Sequence, residues 1–426
     1  MAAAKRGSPL DRRRACGDFV DMDPLALDPY SFQMSPPPPR HDPAPGADFE
    51  TLCAHFGEDR MAQRGAVAVP IYQASTFMFP DSAAWEQREA PDSPYYEYTR
   101  VGNPTTAVLE AKIARLEHGN WALAFGSGMG AIAAAINACV HAGAHVVASG
   151  TIYWPTRRYL RDYLPRFGVE TTFVDSCDPA DFEAAIRPNT RLMYLESPTS
   201  GLFEMPDVAP IAAAARARGV VTVFDNSWAT ACFQTPLDLG CDLVVHSATK
   251  FIGGHSDVVA GLVAGREDTL RRRVFRELEL LGSVCDPFAA WLLIRGLRTL
   301  KVRMEQHQRS GLALARFLEQ HPAVRRMYHP GLESHPQYAI GRRQLRGYSG
   351  LFSFELHDQS REATNRFMDR TRLFTIGVSW GGYESLVIGG TFISKDPQQP
   401  AWIIRLHVGL EATEDLIADV KQALES

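Results

Sequence analysis

Between about Trp121 and Gly265 the chain alternates short β-branched runs with alanine-rich stretches of helical period, and few architectures accommodate that rhythm. Residues 145–149, 169–174, 191–196, 220–225 and 243–246 read as strands, with helices over 182–186 and 208–218 between them. Strands that recur with helical crossovers predict a mainly parallel sheet covered by helices on both faces. Ahead of this block, Asn103 and Pro104 open a helix that Gly119 closes, a cap, a proline at the first position and a terminal glycine. Beyond Gly265 a long helical region reaches about Gln320. Strands over 351–356 and 403–408 and an amphipathic helix over 413–424 follow, predicting a smaller C-terminal α+β unit.

A chain of 426 residues exceeds what one hydrophobic core supports, so at least two packed units are expected. The first 48 residues hold nine of the 28 prolines and seven aspartates without apolar periodicity, which predicts a disordered tail rather than a secretory or transit signal. The net charge of −5 lacks the basic excess that nucleic acid asks of a partner. No stretch approaches the roughly 18 apolar residues of a membrane span. The seven cysteines stand at irregular spacings without a C-x-x-C pair, and no histidine cluster has metal-ligand spacing. These features together predict a cytoplasmic protein without metal or disulfides.

In a parallel sheet, ligands bind at the carboxyl ends of the strands. There the strand over 220–224 delivers Asp225, and the strand over 243–246 delivers Ser247, Thr249 and Lys250. An amine on that rim can form a Schiff base with an aldehyde cofactor, and a buried aspartate can hold a pyridinium nitrogen protonated so that the ring accepts electrons. Either residue alone is more often a turn cap or a solvated lysine; the pair points to pyridoxal phosphate chemistry. The turn Phe125-Gly126-Ser127-Gly128-Met129-Gly130 runs into a helix over 131–140 and offers backbone N–H groups to an anion. It lacks the G-x-G-x-x-G spacing of a dinucleotide fingerprint. Tyr153 follows the strand over 145–149 onto the same rim, where it stacks on a cofactor ring or anchors the helix behind it.

These segments resemble the pyridoxal-phosphate enzymes of cysteine and methionine metabolism: Asp225-Asn226, Ser247-Ala248-Thr249-Lys250, Gly254-His255-Ser256-Asp257, Ser127-Gly128-Met129-Gly130, and Tyr98-Thr99-Arg100 with Asn103-Pro104-Thr105. The resemblance runs from about Thr51 to the C-terminus. It implies a fold-type I, aspartate-aminotransferase-like α/β domain and pyridoxal 5'-phosphate as cofactor. Lys250 would be the Schiff-base lysine and catalytic base, Asp225 the pyridinium partner and Tyr153 the stacking ring. Gly128, Met129, Ser247 and Thr249 would hold the phosphate, with Tyr98 and Arg100 reaching the phosphate of a neighbouring subunit. The implied plan is a tail over 1–48, an arm over 49–105 serving the neighbour's site, a cofactor domain over 106–290 and a C-terminal domain over 291–426. A dimer is then required, and a tetramer is expected. Arg405, in Ile403-Ile404-Arg405-Leu406-His407, resembles the family's clamp for the substrate α-carboxylate.

Ser379-Trp380-Gly381-Gly382-Tyr383-Glu384-Ser385 and Glu196-Ser197-Pro198-Thr199-Ser200-Gly201 resemble the β-lyase branch, where γ-type members usually carry leucine for Trp380 and Asn-Pro for Ser200-Gly201. The segment 98–105 looks more γ-like, and Val378 stands where some β-lyases have tyrosine. The expected activity is β-elimination of cystathionine to homocysteine, pyruvate and ammonia, with Ser379, Trp380 and Arg405 against the substrate. The alternatives are a γ-lyase, a γ-synthase or an O-acylhomoserine sulfhydrylase, and, from another class, a catalytically inactive binding module.

Overall fold

The computed structural model describes residues 42–44, 46–88, 93–391 and 401–425. Of the expected tail, residues 1–41 and 45 lie outside the described residues.

Seven strands form the large sheet: β1 (Trp121–Phe125), β2 (His145–Ser149), β3 (Glu170–Val174), β4 (Thr190–Glu196), β5 (Val221–Asp225), β6 (Leu243–Ser247) and β7 (Gly261–Gly265). Their order is β1-β7-β6-β5-β4-β2-β3. The run from β6 to β3 is parallel, and β7 alone runs against both its neighbours. Both faces are covered. Val146 and Val147 are neighbours on β2, yet they sit in different apolar clusters, as side chains that alternate across a strand must. One cluster takes in the helices Gly128–Asn137 and Asp268–Leu281, the other the helix Val208–Ala217. The expected strands are present, their ends displaced by a residue at most.

The helix opened by Asn103 spans Pro104–Leu116, and the Asn103 side chain accepts the Thr105 N–H at 2.8 Å. Its close differs from expectation, because the left-handed residue is His118 (φ 59°) rather than Gly119. Gly119 answers a different demand: a Cβ there would lie 2.8 Å from the Gly265 carbonyl oxygen. The helix expected over 131–140 begins earlier, at Gly128, and ends at Asn137, so Gly128 and Gly130 belong to its first turn. The helical region up to Gln320 is three helices, Asp268–Leu281, Pro287–Leu297 and Leu300–Glu319. Gly282, with φ 73°, ends the first, and Asp286 caps the second through the Phe288 N–H.

The smaller C-terminal unit carries a separate sheet of β8 (Val324–Tyr328), β9 (Leu351–Leu356), β10 (Thr375–Ile376), β11 (Leu386–Gly390) and β12 (Ile403–His407), ordered β10-β11-β12-β9-β8. Phe352, Phe354, Ile404 and Leu406 bury one face of it against helices Leu300–Glu319, Arg361–Arg370 and Thr413–Glu425. This α/β architecture, a mostly parallel sheet plus a smaller unit with its own sheet, is the fold class the sequence predicts. Among the described residues, no helix is long and apolar enough to cross a membrane.

Candidate functional site

The carboxyl ends of β2, β4, β5 and β6 open into a cleft of about 1030 Å³, closed on the far side by β12 and the loop before β11. Gly128, Met129, Tyr153, Asp225, Ser247, Thr249, Lys250, Trp380 and Arg405 all line it. Residues up to 277 positions apart, from Gly128 to Arg405, therefore meet in one cavity.

Lys250 follows β6 by three residues, and its Nζ donates to the Ser379 hydroxyl at 2.7 Å. The same nitrogen stands 5.2 Å from the centre of the Trp380 ring. Burial, and secondarily the guanidinium of Arg405, push the Lys250 amine down to about 8. An amine so placed is neutral far more often than a solvated lysine. Arg405 is itself pushed down to about 10 by burial, and its Nη2 donates to the Val378 carbonyl at 2.7 Å.

Asp225 ends β5 directly opposite Glu196, which ends β4. Asp225 accepts the Ser227 N–H at 3.0 Å and the Tyr194 hydroxyl at 3.2 Å. Glu196 accepts the Tyr153 N–H at 2.7 Å and the Ser200 hydroxyl. Burial raises both carboxyls, and the charge of Asp225 raises Glu196 further, so the pair resists carrying two negative charges. A cationic group against Asp225 relieves that conflict. In the sequence Glu196 stands only within the 196–201 motif and Tyr194 carries no signal of its own, so neither points to Asp225. Both would have needed the β4/β5 register to be seen.

On the anion side, Ser127 caps the helix Gly128–Asn137 by accepting the Gly130 N–H at 3.0 Å. The N–H groups of Gly128 and Met129 stand in its first turn, where helices leave donors without intrahelical partners. A Cβ on Gly128 would lie 2.7 Å from the Ser247 Oγ, so only glycine lets helix and β6 approach this closely. Thr249 donates its hydroxyl to the Ala260 carbonyl at 3.2 Å and accepts the Ala260 N–H at 3.0 Å. Tyr153 precedes the short helix Trp154–Arg158 with its ring half-exposed in the cleft.

Tyr98 and Arg100 do not join this group within one chain. Arg100 donates to the Glu279 carbonyl at 2.9 Å and lies over the Tyr98 ring, away from the cleft. The donor set nonetheless suits pyridoxal phosphate: helix N–H groups and a serine for a phosphate, a buried carboxylate for a pyridinium, and an amine of lowered basicity for an aldehyde. The described residues contain no group of three or more side chains disposed to hold a metal ion.

A model of the Cys/Met metabolism PLP-dependent enzyme family matches residues 50–425. The chain belongs to this family. It is 41% identical over 389 residues to the L-methionine gamma-lyase of Porphyromonas gingivalis, with 89% of this chain and 97% of that protein covered. It is 39% identical over 386 residues to the cystathionine beta-lyase of Lactococcus lactis subsp. cremoris, at 88% and 99% coverage. Among solved structures, cystathionine gamma-lyase from Lactobacillus plantarum, complexed with L-serine, superposes with a TM-score of 0.82 at 37% identity, covering 89% of this chain and 99% of that one. The protein is accordingly a pyridoxal-phosphate-dependent carbon–sulfur lyase of amino-acid metabolism.

Proposed function

We propose that this lyase cleaves L-cystathionine by β-elimination, taking up water and releasing homocysteine, pyruvate and ammonia. The observation that carries the reading is the position of the Lys250 amine, held between the Ser379 hydroxyl at 2.7 Å and the Trp380 ring at 5.2 Å. Elimination at the γ position asks the base to serve two carbons in turn. The Trp380 indole, standing where γ-type members usually carry leucine, narrows the space in which Lys250 would reach a second carbon, which supports a single transfer at Cα.

When bound at the rim, pyridoxal phosphate supplies a conjugated ring that takes up the charge left as the α-proton departs. Lys250 removes that proton, which its lowered basicity permits near neutral pH. Asp225 would hold a proton on the ring nitrogen of the bound cofactor, and Tyr153 would supply an aromatic face for it to stack on. Arg405 grips the substrate α-carboxylate with its guanidinium fork. The Cβ–S electron pair leaves with sulfur, and the proton on Lys250 is then available to the departing thiolate. Gly128, Met129, Ser247 and Thr249 would hold the phosphate, joined by Tyr98 and Arg100 from a second copy of the chain. On this reading each site is completed only in a dimer, and we take the enzyme to be a cytoplasmic homo-oligomer, a tetramer built from such dimers. Its division is an arm over 49–105, a cofactor domain over 106–290 and a C-terminal domain over 291–426.

The γ-elimination reading draws support from the 41% identity to a methionine gamma-lyase. Product analysis separates the two. Purified enzyme given cystathionine should release homocysteine and pyruvate; cysteine and 2-oxobutyrate would place the chain with the γ-lyases and overturn the β reading.

A further inference from the structure

The loop that carries Ser379 and Trp380 is pinned by one strand. Arg405 and His407 stand two residues apart on β12, so their side chains leave the same face. Arg405 takes one end of the loop by donating to the Val378 carbonyl at 2.7 Å. His407 takes the other: its Nε2 is 3.1 Å from the Gly381 nitrogen and 3.0 Å from the Gly382 oxygen. Either neutral tautomer bonds the loop. A bare Nε2 accepts the Gly381 N–H, and a protonated one donates to the Gly382 carbonyl.

The contact reaches the reacting amine by a short path. Gly381 has φ 91°, and a Cβ there would lie 2.8 Å from the Lys250 Cα, so the loop rests on the Lys250 backbone itself. Phe251, the next residue, packs against the Trp380 ring at 5.4 Å and the His407 ring at 5.7 Å. His407 is almost wholly buried and meets the His307 ring at 5.4 Å; burial and that neighbour keep it neutral. The segment beyond the loop is fixed independently. Ser385 donates its hydroxyl to Glu411 at 2.9 Å, and Leu410 donates to the Tyr383 carbonyl at 2.8 Å. Loss of the histidine therefore loosens residues 379–382 without undoing the sheet.

We propose that His407 is a positioning residue that sets the Ser379–Trp380 wall against Lys250 and thereby the fit of the bound amino acid. The inference rests on the carbon–sulfur lyase reading of the cleft, and it goes beyond that reading by assigning a role to a side chain outside the cavity lining.

The test compares the loaded enzyme with His407→Phe and His407→Asn, which cannot bridge to the loop, and with His407→Gln, whose amide can both accept and donate there. Two readouts are taken: amide hydrogen exchange across residues 378–385 without substrate, and steady-state kinetics on cystathionine with the cofactor band monitored. The Phe and Asn variants should exchange Gly381 and Gly382 roughly tenfold faster and raise KM by roughly tenfold, the scale of one buried hydrogen bond, with kcat changed less and the cofactor band retained. His407→Gln should return both readouts towards the native values. Native exchange and KM in the Phe and Asn variants would overturn the proposal. So would equal loss of cofactor and of thermal stability in all three variants, the signature of a merely structural histidine. Because exchange is read without substrate, failure to cleave cystathionine would sink the functional reading and still leave the loop assignment open to measurement.

Discussion

Lys250 is the group whose chemistry can be titrated from outside. With its amine pushed down to about 8, about one molecule in ten is neutral at pH 7, against about three in ten thousand for a lysine at 10.5, a ratio of roughly 300. Only the neutral amine attacks an aldehyde. Capture of pyridoxal phosphate by cofactor-stripped protein should therefore accelerate as pH rises through about 8 and level off above it. Trp380→Ala removes the ring 5.2 Å from Nζ and admits water, which weakens the larger of the two causes of the shift. Its midpoint should move towards 10.5, with capture at pH 7 slowed by up to roughly 300-fold. Arg405→Gln should move the midpoint the same way by less, since it removes a nearby positive charge that disfavours the ammonium form. The assay mixes stripped protein with the cofactor across a pH series, quenches with borohydride and quantifies label on the Lys250 peptide by mass spectrometry. A free lysine peptide run in parallel corrects for titration of the cofactor itself. A native midpoint near 10.5, or identical midpoints in native and Trp380→Ala protein, would refute the argument that burial in this cleft sets the reactivity of Lys250.

Arg405→Lys should raise KM for cystathionine about tenfold or more with the cofactor spectrum unchanged, because an ammonium keeps the charge and loses the bidentate fork; steady-state kinetics decides. Gly128→Ala pushes a methyl to 2.7 Å from the Ser247 Oγ, so equilibrium titration should find cofactor affinity weakened by about tenfold, the cost of modest overpacking. Mixing Lys250→Ala chains with Arg100→Ala chains should restore activity above either parent, since half of the hybrid's sites regain both native residues. Hybrids that demonstrably form yet stay inactive would remove Arg100 from the neighbour's site.

What the sequence made legible was whatever depends on near neighbours. The parallel strands were visible because burial on both faces imposes continuous apolar runs, and Asp225 and Lys250 because each stands within three residues of a strand's end. β7 was harder to see: its sequence, Gly-Leu-Val-Ala-Gly, is short and bounded by glycines. The structure shows why. A Cβ on Gly265 would lie 2.7 Å from the Trp121 ring, so close approach to β1 has displaced the β-branched residue that would have signalled a strand. The helix begins at Gly128, three residues ahead of its sequence signal, for a related reason, since glycines that let it approach β6 read locally as loop.

The elements that escaped local reading are those whose meaning is set by register. Glu196 is an ordinary acidic residue in sequence, and it becomes a partner of Asp225 only because β4 and β5 align residue for residue up to their last positions. Its carboxylate then ties the Tyr153 N–H and the Ser200 hydroxyl to the carboxyl end of β4, so one side chain couples two walls of the cleft to the charge of Asp225. Two raised carboxyls side by side are an unfavourable arrangement in an empty cleft and a favourable one beside a cation. The register of β4 and β5 thus sets at this rim an electrostatic conflict that a cation beside Asp225 would relieve, and apolar residues at the same two positions would carry no such demand.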